Sequence, residues 1–172
     1  MSKHVLIVGL MGVGKSSTGR ALAVELGRPY VDSDADIETL FGSSGGAIAE
    51  EFGVPRLHEV EAGLVFGALS GEVPSVITAA ASIVENPLVL RAAKRKANVV
   101  RLTLPLDEII TRQQDGSHRR PMELDELKKL AERRETLFAE IADIEVDTAR
   151  PTDVLVGEII SALNLGTIAN GR

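Results

Sequence analysis

Gly9-Leu10-Met11-Gly12-Val13-Gly14-Lys15-Ser16 fits the spacing G-x-x-x-x-G-K-[ST], and its neighbours fix its context. A β-branched apolar run at residues 5–8 precedes it, and Leu22, Ala23 and Leu26 recur at helical spacing after it. Strand, tight glycine loop and helix in that order commit the chain to an α/β fold. Glycines at these positions let the backbone curl until successive N–H groups point inward at phosphate oxygens, and the helix N-terminus adds partial positive charge. The expected phosphate nest therefore runs through Met11, Gly12, Val13, Gly14, Lys15, Ser16 and Ser17. Its Lys15 ammonium would reach the β- and γ-phosphates, and its Ser16 hydroxyl would ligate Mg2+. The plainer alternative, a glycine-rich turn that binds nothing, has to explain a complete motif in its required setting.

The alternation continues along the chain. Strands are expected at 30–32, 76–78, 99–104 and 144–147. Helices are expected at 16–26, 34–40, about 55–69, 86–97, from Asp107, at 124–141, and at 152–163 behind the start signal Pro151-Thr152-Asp153. Parallel neighbours need crossover connections, so five apolar strands separated by helices predict a parallel sheet sandwiched by helices in three layers. No repeat or linker divides the 172 residues, which read as one domain. Two stretches read as moving parts: the joint Gly42-Ser43-Ser44-Gly45-Gly46, and the segment 113–121, which lacks hydrophobic periodicity.

Composition removes several classes of function. There is no cysteine, hence no disulfide framework and no thiolate zinc site. A net charge of −6, no Trp and 3% aromatic residues argue against a nucleic-acid surface or a base-stacking platform. No apolar run reaches the length that spans a bilayer, and the first residues carry no export pattern. The expectation is a cytoplasmic, monomeric protein whose partner is a small molecule with a hydroxyl to offer.

The glycine loop alone does not separate kinases from GTPases or ATP-driven machines. The chain has no guanine-reading Asn-Lys-x-Asp and no strand ending in Asp-Glu. It has Val31-Asp32-Ser33-Asp34, two carboxylates where the second strand ends, the edge at which α/β sheets bind ligands. Residues two apart in a strand face the same side, so one carboxylate would hold Mg2+ through water while the other orients or deprotonates an accepting hydroxyl. The competing reading is that Asp32 or Asp34 simply caps the following helix. Arg112, His118, Arg119, Arg120 and Pro121 lie in or beside the segment without periodicity. They suit a lid that brings guanidinium groups over the γ-phosphate once both substrates are bound. Arg133 and Arg134, on a helix rich in charge, read equally as solvated residues.

Taken together, Gly9 to Arg20, Val31-Asp32-Ser33-Asp34, Arg120-Pro121 and Arg134-Glu135-Thr136-Leu137-Phe138 resemble the shikimate kinases in order and spacing over nearly the whole chain. The resemblance implies a five-stranded parallel sheet in the nucleoside-monophosphate-kinase-like arrangement. It also implies a substrate-binding helical region at about 34–70, a lid at about 113–123, Mg-ATP as donor and a place in aromatic amino acid biosynthesis. Carried over residue by residue, it gives Ser16 and Asp32 to the metal and Asp34 to the substrate hydroxyls. Arg134 would grip a substrate carboxylate, Arg120 would be the lid arginine over the phosphates, and Arg112 with Arg150-Pro151 would lie near the adenine. Lys15, Asp34 and Arg120 would then be the catalytic set.

The acceptor side departs from the family pattern. A Gly-Gly-Gly turn is replaced by Ala79-Ala80-Ala81, whose methyl groups would intrude, and would strain the chain if any of the three required positive φ. A Phe-Arg pair is replaced by Leu57-His58, and a pocket phenylalanine by Ala49. An imidazole cannot reproduce the bidentate fork of arginine, and Arg56 faces away from position 58 on a helix. The expected acceptor is shikimate or a related cyclitol or sugar acid, with a ring lacking a strongly held carboxylate favoured. The alternatives are a nucleotide-binding module without efficient catalysis and a nucleoside monophosphate kinase.

Overall fold

The computed structural model describes residues 2–115 and 124–167. Its elements are β1 (His4–Val8), α1 (Lys15–Leu26), β2 (Tyr30–Asp32), α2 (Ser33–Phe41), α3 (Gly45–Phe52), α4 (Val54–Ser70) and β3 (Val76–Thr78). A 3₁₀ helix (Ala81–Glu85) follows, then α5 (Pro87–Lys96), β4 (Ala97–Thr103), α6 (Leu106–Asp115), α7 (Leu124–Ile141), β5 (Ile144–Asp147) and α8 (Thr152–Ala162). The five strands pair in parallel in the order β2-β3-β1-β4-β5.

β1 lies at the centre and is buried along its whole length, which is why its sequence is continuously apolar instead of alternating. Its residues divide between two cores by the period of two. Leu6 and Val8 join Ala62, Val65 and Leu69 of α4, Val89 and Ala93 of α5 and Phe138 of α7. Val5 and Ile7 join Leu22 and Leu26 of α1 and Leu155 and Ile159 of α8 on the other face. The expected three-layer sandwich follows. A third, smaller cluster of Ile37, Ile48 and Leu57 ties α2, α3 and α4 together beside the sheet. Among the described residues no helix is long and apolar enough to cross a membrane.

Several expectations need correction. The glycine-rich joint is short: Gly42 ends α2 in the left-handed region at φ 64°, and Ser44 then caps a helix absent from the sequence reading, its hydroxyl accepting from Ala47 N at 3.2 Å. Gly45 and Gly46 are therefore helical, and an added Cβ at Gly45 would lie 3.3 Å from Leu57 Cδ1, so glycine lets α3 approach α4 closely. The 3₁₀ helix after β3 was likewise not foreseen. Asn86 is the cap of α5, accepting from Leu88 N and Val89 N at 3.0 and 3.2 Å, and β4 begins at Ala97. Residues 113–115 belong to α6. The remainder of the expected lid, with His118, Arg119, Arg120 and Pro121, lies outside the described residues.

Candidate nucleotide and acceptor site

The strands are parallel, so their C-terminal ends form one edge, and the loops leaving β1, β2 and β3 meet there. The loop after β1 is possible only with glycine at its start. Gly9 has φ 144°, and an added Cβ would stand 2.6 Å from Leu102 O and 3.0 Å from Val13 Cγ1. Gly12 at φ 85° and Gly14 at φ 101° complete the curl into α1, whose N-terminus has no side-chain cap. Its first amides thus remain directed at the loop, as an anion cradle requires. Lys15 Nζ donates to Gly9 O and to Leu10 O, both at 3.0 Å, which folds the ammonium back over the loop.

Beside the start of α1 stands a polar cluster built by β2 and β3. The Tyr30 hydroxyl donates to Asp32 Oδ2 at 2.8 Å and stands 2.9 Å from Thr78 Oγ1. Burial, and to a lesser degree Asp32, pushes the Tyr30 hydroxyl above its ordinary pKa, while hydrogen bonds from Thr78 and Ser16 act in the opposite direction. Ser16 therefore reaches the same cluster. The Arg20 guanidinium stacks 5.8 Å from the Tyr30 ring centroid and 3.9 Å from Asp32 Oδ2. Gly19 makes room for this arrangement, since a Cβ there would lie 2.5 Å from Thr78 Cγ2 and 2.8 Å from Tyr30 Cε2.

Asp32 and Asp34 do not share a strand face. β2 ends at Asp32, whose Oδ1 accepts from Asp34 N at 3.2 Å and so caps α2, while the exposed Asp34 occupies the first helical turn. Capping and a ligand role are compatible for Asp32, because the cap uses one carboxylate oxygen and the other faces Tyr30. Asp36, one turn further on, has its carboxyl pushed up by partial burial and by Asp32.

On the acceptor side, Ala79 and Ala80 are buried, and Ala79 belongs to the main core. Among the described residues Asn164 alone of the non-glycines has positive φ, so the three alanines carry no backbone strain. The Ala80 N–H is already engaged, donating to the buried Ser33 Oγ at 3.1 Å. Ser82 donates to Glu61 Oε2, and Glu61, 3% exposed, lies on α4 one turn after the half-buried His58. Arg56 is exposed and pairs with Glu59 at 2.9 Å. From α7, Arg134 Nε lies 3.4 Å from Glu85 Oε1, an oxygen that Arg133 also contacts. Partial burial pushes the Glu85 carboxyl up, but Arg134 and Arg133 together outweigh this and hold it below the ordinary carboxylate value.

Beyond β5, Arg150 pairs with Glu158 at 2.5 Å and Pro151 occupies the N-cap position of α8. Arg112 lies in α6. The structure thus brings Lys15, Ser16, Asp32 and Asp34 to one edge, and adds Tyr30, Thr78, Ser33, Glu61, Ser82 and Glu85, which the sequence reading did not single out. The only local signal for them is polarity at positions that strand or helix periodicity marks as interior, as at Thr78 and Glu61.

A glycine-cradled loop between the central strand of a parallel five-stranded sheet and an uncapped helix defines a P-loop phosphotransferase of the nucleoside-monophosphate-kinase-like fold. Comparison with known proteins narrows this class. The shikimate kinase family model matches residues 11–164. A shikimate kinase from Pelotomaculum thermopropionicum is 32% identical over 151 residues, covering 85% of this chain and 86% of that relative. The crystal structure of shikimate kinase from Aquifex aeolicus superposes with a TM-score of 0.82 at 26% identity, covering 94% of this chain and 96% of that one. Shikimate kinase from Acinetobacter baumannii, solved in complex with shikimate, shares the fold at a TM-score of 0.86 and 24% identity, covering 94% and 93% of the two chains. The chain belongs to the shikimate kinase family, and it is an ATP-dependent small-molecule kinase.

Proposed function

We propose that the chain transfers the γ-phosphate of Mg-ATP to a hydroxyl of a small polyhydroxylated ring, shikimate or a related cyclitol or sugar acid, acting as a monomer in the cytoplasm. The observation that carries the reading is the convergence of Lys15, folded over the glycine loop, with Asp32 and Asp34 at one sheet edge. A phosphate tail entering the loop would replace the Gly9 and Leu10 carbonyls as partners of the ammonium. Lys15 would then offset charge on the transferring group where it develops.

The donor set suits magnesium that is held largely by phosphate oxygens and water. Among the described residues no group of three or more His, Asp or Glu forms a cage, whereas the Ser16 hydroxyl and the Asp32 carboxylate offer the one or two protein oxygens such an ion takes. With Ser16 and Asp32 holding it, magnesium would supply positive charge to offset that of the phosphates. Asp34, exposed in the first turn of α2, would orient the accepting hydroxyl and take its proton. The lid of residues 113–123 would carry Arg120 over the phosphates and exclude water, with Arg112, Arg150 and Pro151 flanking the base. His58, Ala80, Ala81 and Arg134 would line the acceptor, with Ala79 packed into the core behind them.

Coupled measurement of ADP release across shikimate, neutral cyclitols and sugar acids tests the reading. Phosphorylated product should appear with at least one ring and be lost in Lys15→Ala and in Asp34→Asn. ATP binding with no product from any of them would leave a nucleotide-binding module instead.

A further inference from the structure

At the acceptor side the structure sets a carboxylate against the arginine that would grip an acceptor's carboxylate. Glu85 closes the 3₁₀ helix that follows Ala79 and Ala80, and α7 lays Arg134 against it, with Nε 3.4 Å from Oε1. Both side chains are largely withdrawn from water, Arg134 being 12% exposed and Glu85 21%. Their mutual field is therefore weakly screened. Glu85 is ionised at neutral pH, because its two arginine neighbours hold its pKa low. Arg133 adds a second positive charge, but its side chain is 65% exposed and solvent damps it. On α4, His58 offers no guanidinium fork, and one turn on stands the buried carboxyl of Glu61, which accepts from Ser82 of the same 3₁₀ helix.

We infer that Glu85 is a built-in counter-ion for Arg134 and that it makes the acceptor site select an uncharged polyhydroxylated ring over a ring acid. The inference rests on the reading of this side of the site as the acceptor's. An incoming carboxylate meets a guanidinium whose charge an ionised partner at Nε already offsets, and it must approach that partner's charge to reach it. A neutral cyclitol carries no such penalty and still offers Asp34 its hydroxyls. Glu85 thus acts as a specificity residue, one that need not touch the transferring phosphate.

The test compares two ligands that differ only in charge, shikimate and its carboxamide. Their binding to the full chain loaded with Mg-ADP is measured by calorimetry, in the wild type and in Glu85→Gln. The wild type should bind acid and amide within about threefold of each other, and Glu85→Gln should tighten the acid about tenfold, or about 1.4 kcal/mol, while leaving the amide and ADP unchanged. The inference is overturned if the wild type prefers the acid by about a hundredfold or more, or if the ratio does not move in the variant. Should Glu85→Gln melt below the assay temperature, the wild-type ratio decides alone. If ADP binds and neither ring does, the acceptor reading itself falls and takes this inference with it.

Discussion

Replacing Tyr30 with Phe removes one oxygen and tests whether Asp32 is held for a purpose. The hydroxyl donates to Asp32 Oδ2 at 2.8 Å, while the other carboxylate oxygen accepts from Asp34 N at 3.2 Å, so each oxygen has a fixed partner on a different element. Without the hydroxyl the carboxylate keeps its cap bond and the Arg20 contact at 3.9 Å, but it can rotate about the cap. A hydrogen bond to a charged group contributes about 1.5–3 kcal/mol. Tyr30 is only partly buried, which places the stability loss near the lower figure, a fall in Tm of roughly 3–6 °C for a domain of this size. Thr78 Oγ1 loses the same partner and retains Val31 O at 3.4 Å.

The functional consequence should be separable from that loss. If Tyr30 orients a metal-holding carboxylate, Tyr30→Phe should raise the magnesium concentration needed for half-maximal turnover about tenfold, a differential of about 1.4 kcal/mol, with kcat nearly restored at saturating metal. The thermal stabilisation given by Mg-ADP should shrink at fixed magnesium, while that given by ADP in chelator should not change. A variant that melts lower yet shows the wild-type magnesium dependence by both measurements would refute the reasoning and leave Tyr30 a packing residue.

Two further outcomes follow from the same geometry. Gly9→Ala and Gly14→Ala both place an L side chain at positive φ, a strain of about 1–3 kcal/mol, but only at Gly9 does the new Cβ meet a backbone oxygen, at 2.6 Å, whereas nothing lies within 4 Å at Gly14. Urea unfolding should therefore show Gly9→Ala the more destabilised by at least about 1 kcal/mol, and equal losses would mean that the loop gives way instead of clashing. Glu85, its folded pKa lowered from the ordinary 4.5, contributes stability that is present above that value and lost as pH falls through the folded one. The stability difference between wild type and Glu85→Gln should accordingly be constant from neutral pH down to about 5 and decline on further acidification, as read by denaturant midpoints across that range. A difference that persists unchanged to pH 2 would show that the ion pairs with Arg133 and Arg134 contribute nothing to folding.

The two halves of the site differ in how far the sequence discloses them, for a physical reason. The nucleotide cradle is made of contiguous backbone: Gly9, Gly12 and Gly14 supply the unusual φ values, Lys15 follows directly, and the strand and helix on either side declare themselves by periodicity. Nothing distant has to be known. The sheet is legible on the same terms, since each strand is a short apolar run between helices. Where local rules compete, the reading falters. Asp32 and Asp34 look like strand neighbours until the chain turns helical between them, and Gly45 and Gly46 look like a hinge until Ser44 caps them into α3.

The acceptor half consists of side-chain pairs between elements far apart in the chain, with Ser33 on Ala80 separated by 47 positions and Arg134 on Glu85 by 49. No spacing rule announces such pairs, and their effect reverses what a residue means when read alone. Ala79 and Ala80 appear to be methyl groups pushed into a ring site, yet Ala79 serves the core and the Ala80 amide is spoken for by Ser33. Arg134 appears to be half of a carboxylate clamp, yet it faces a carboxylate of its own chain. What Arg134 can offer an acceptor therefore depends less on its neighbours in sequence than on Glu85, the ionised group that meets it from the segment after β3.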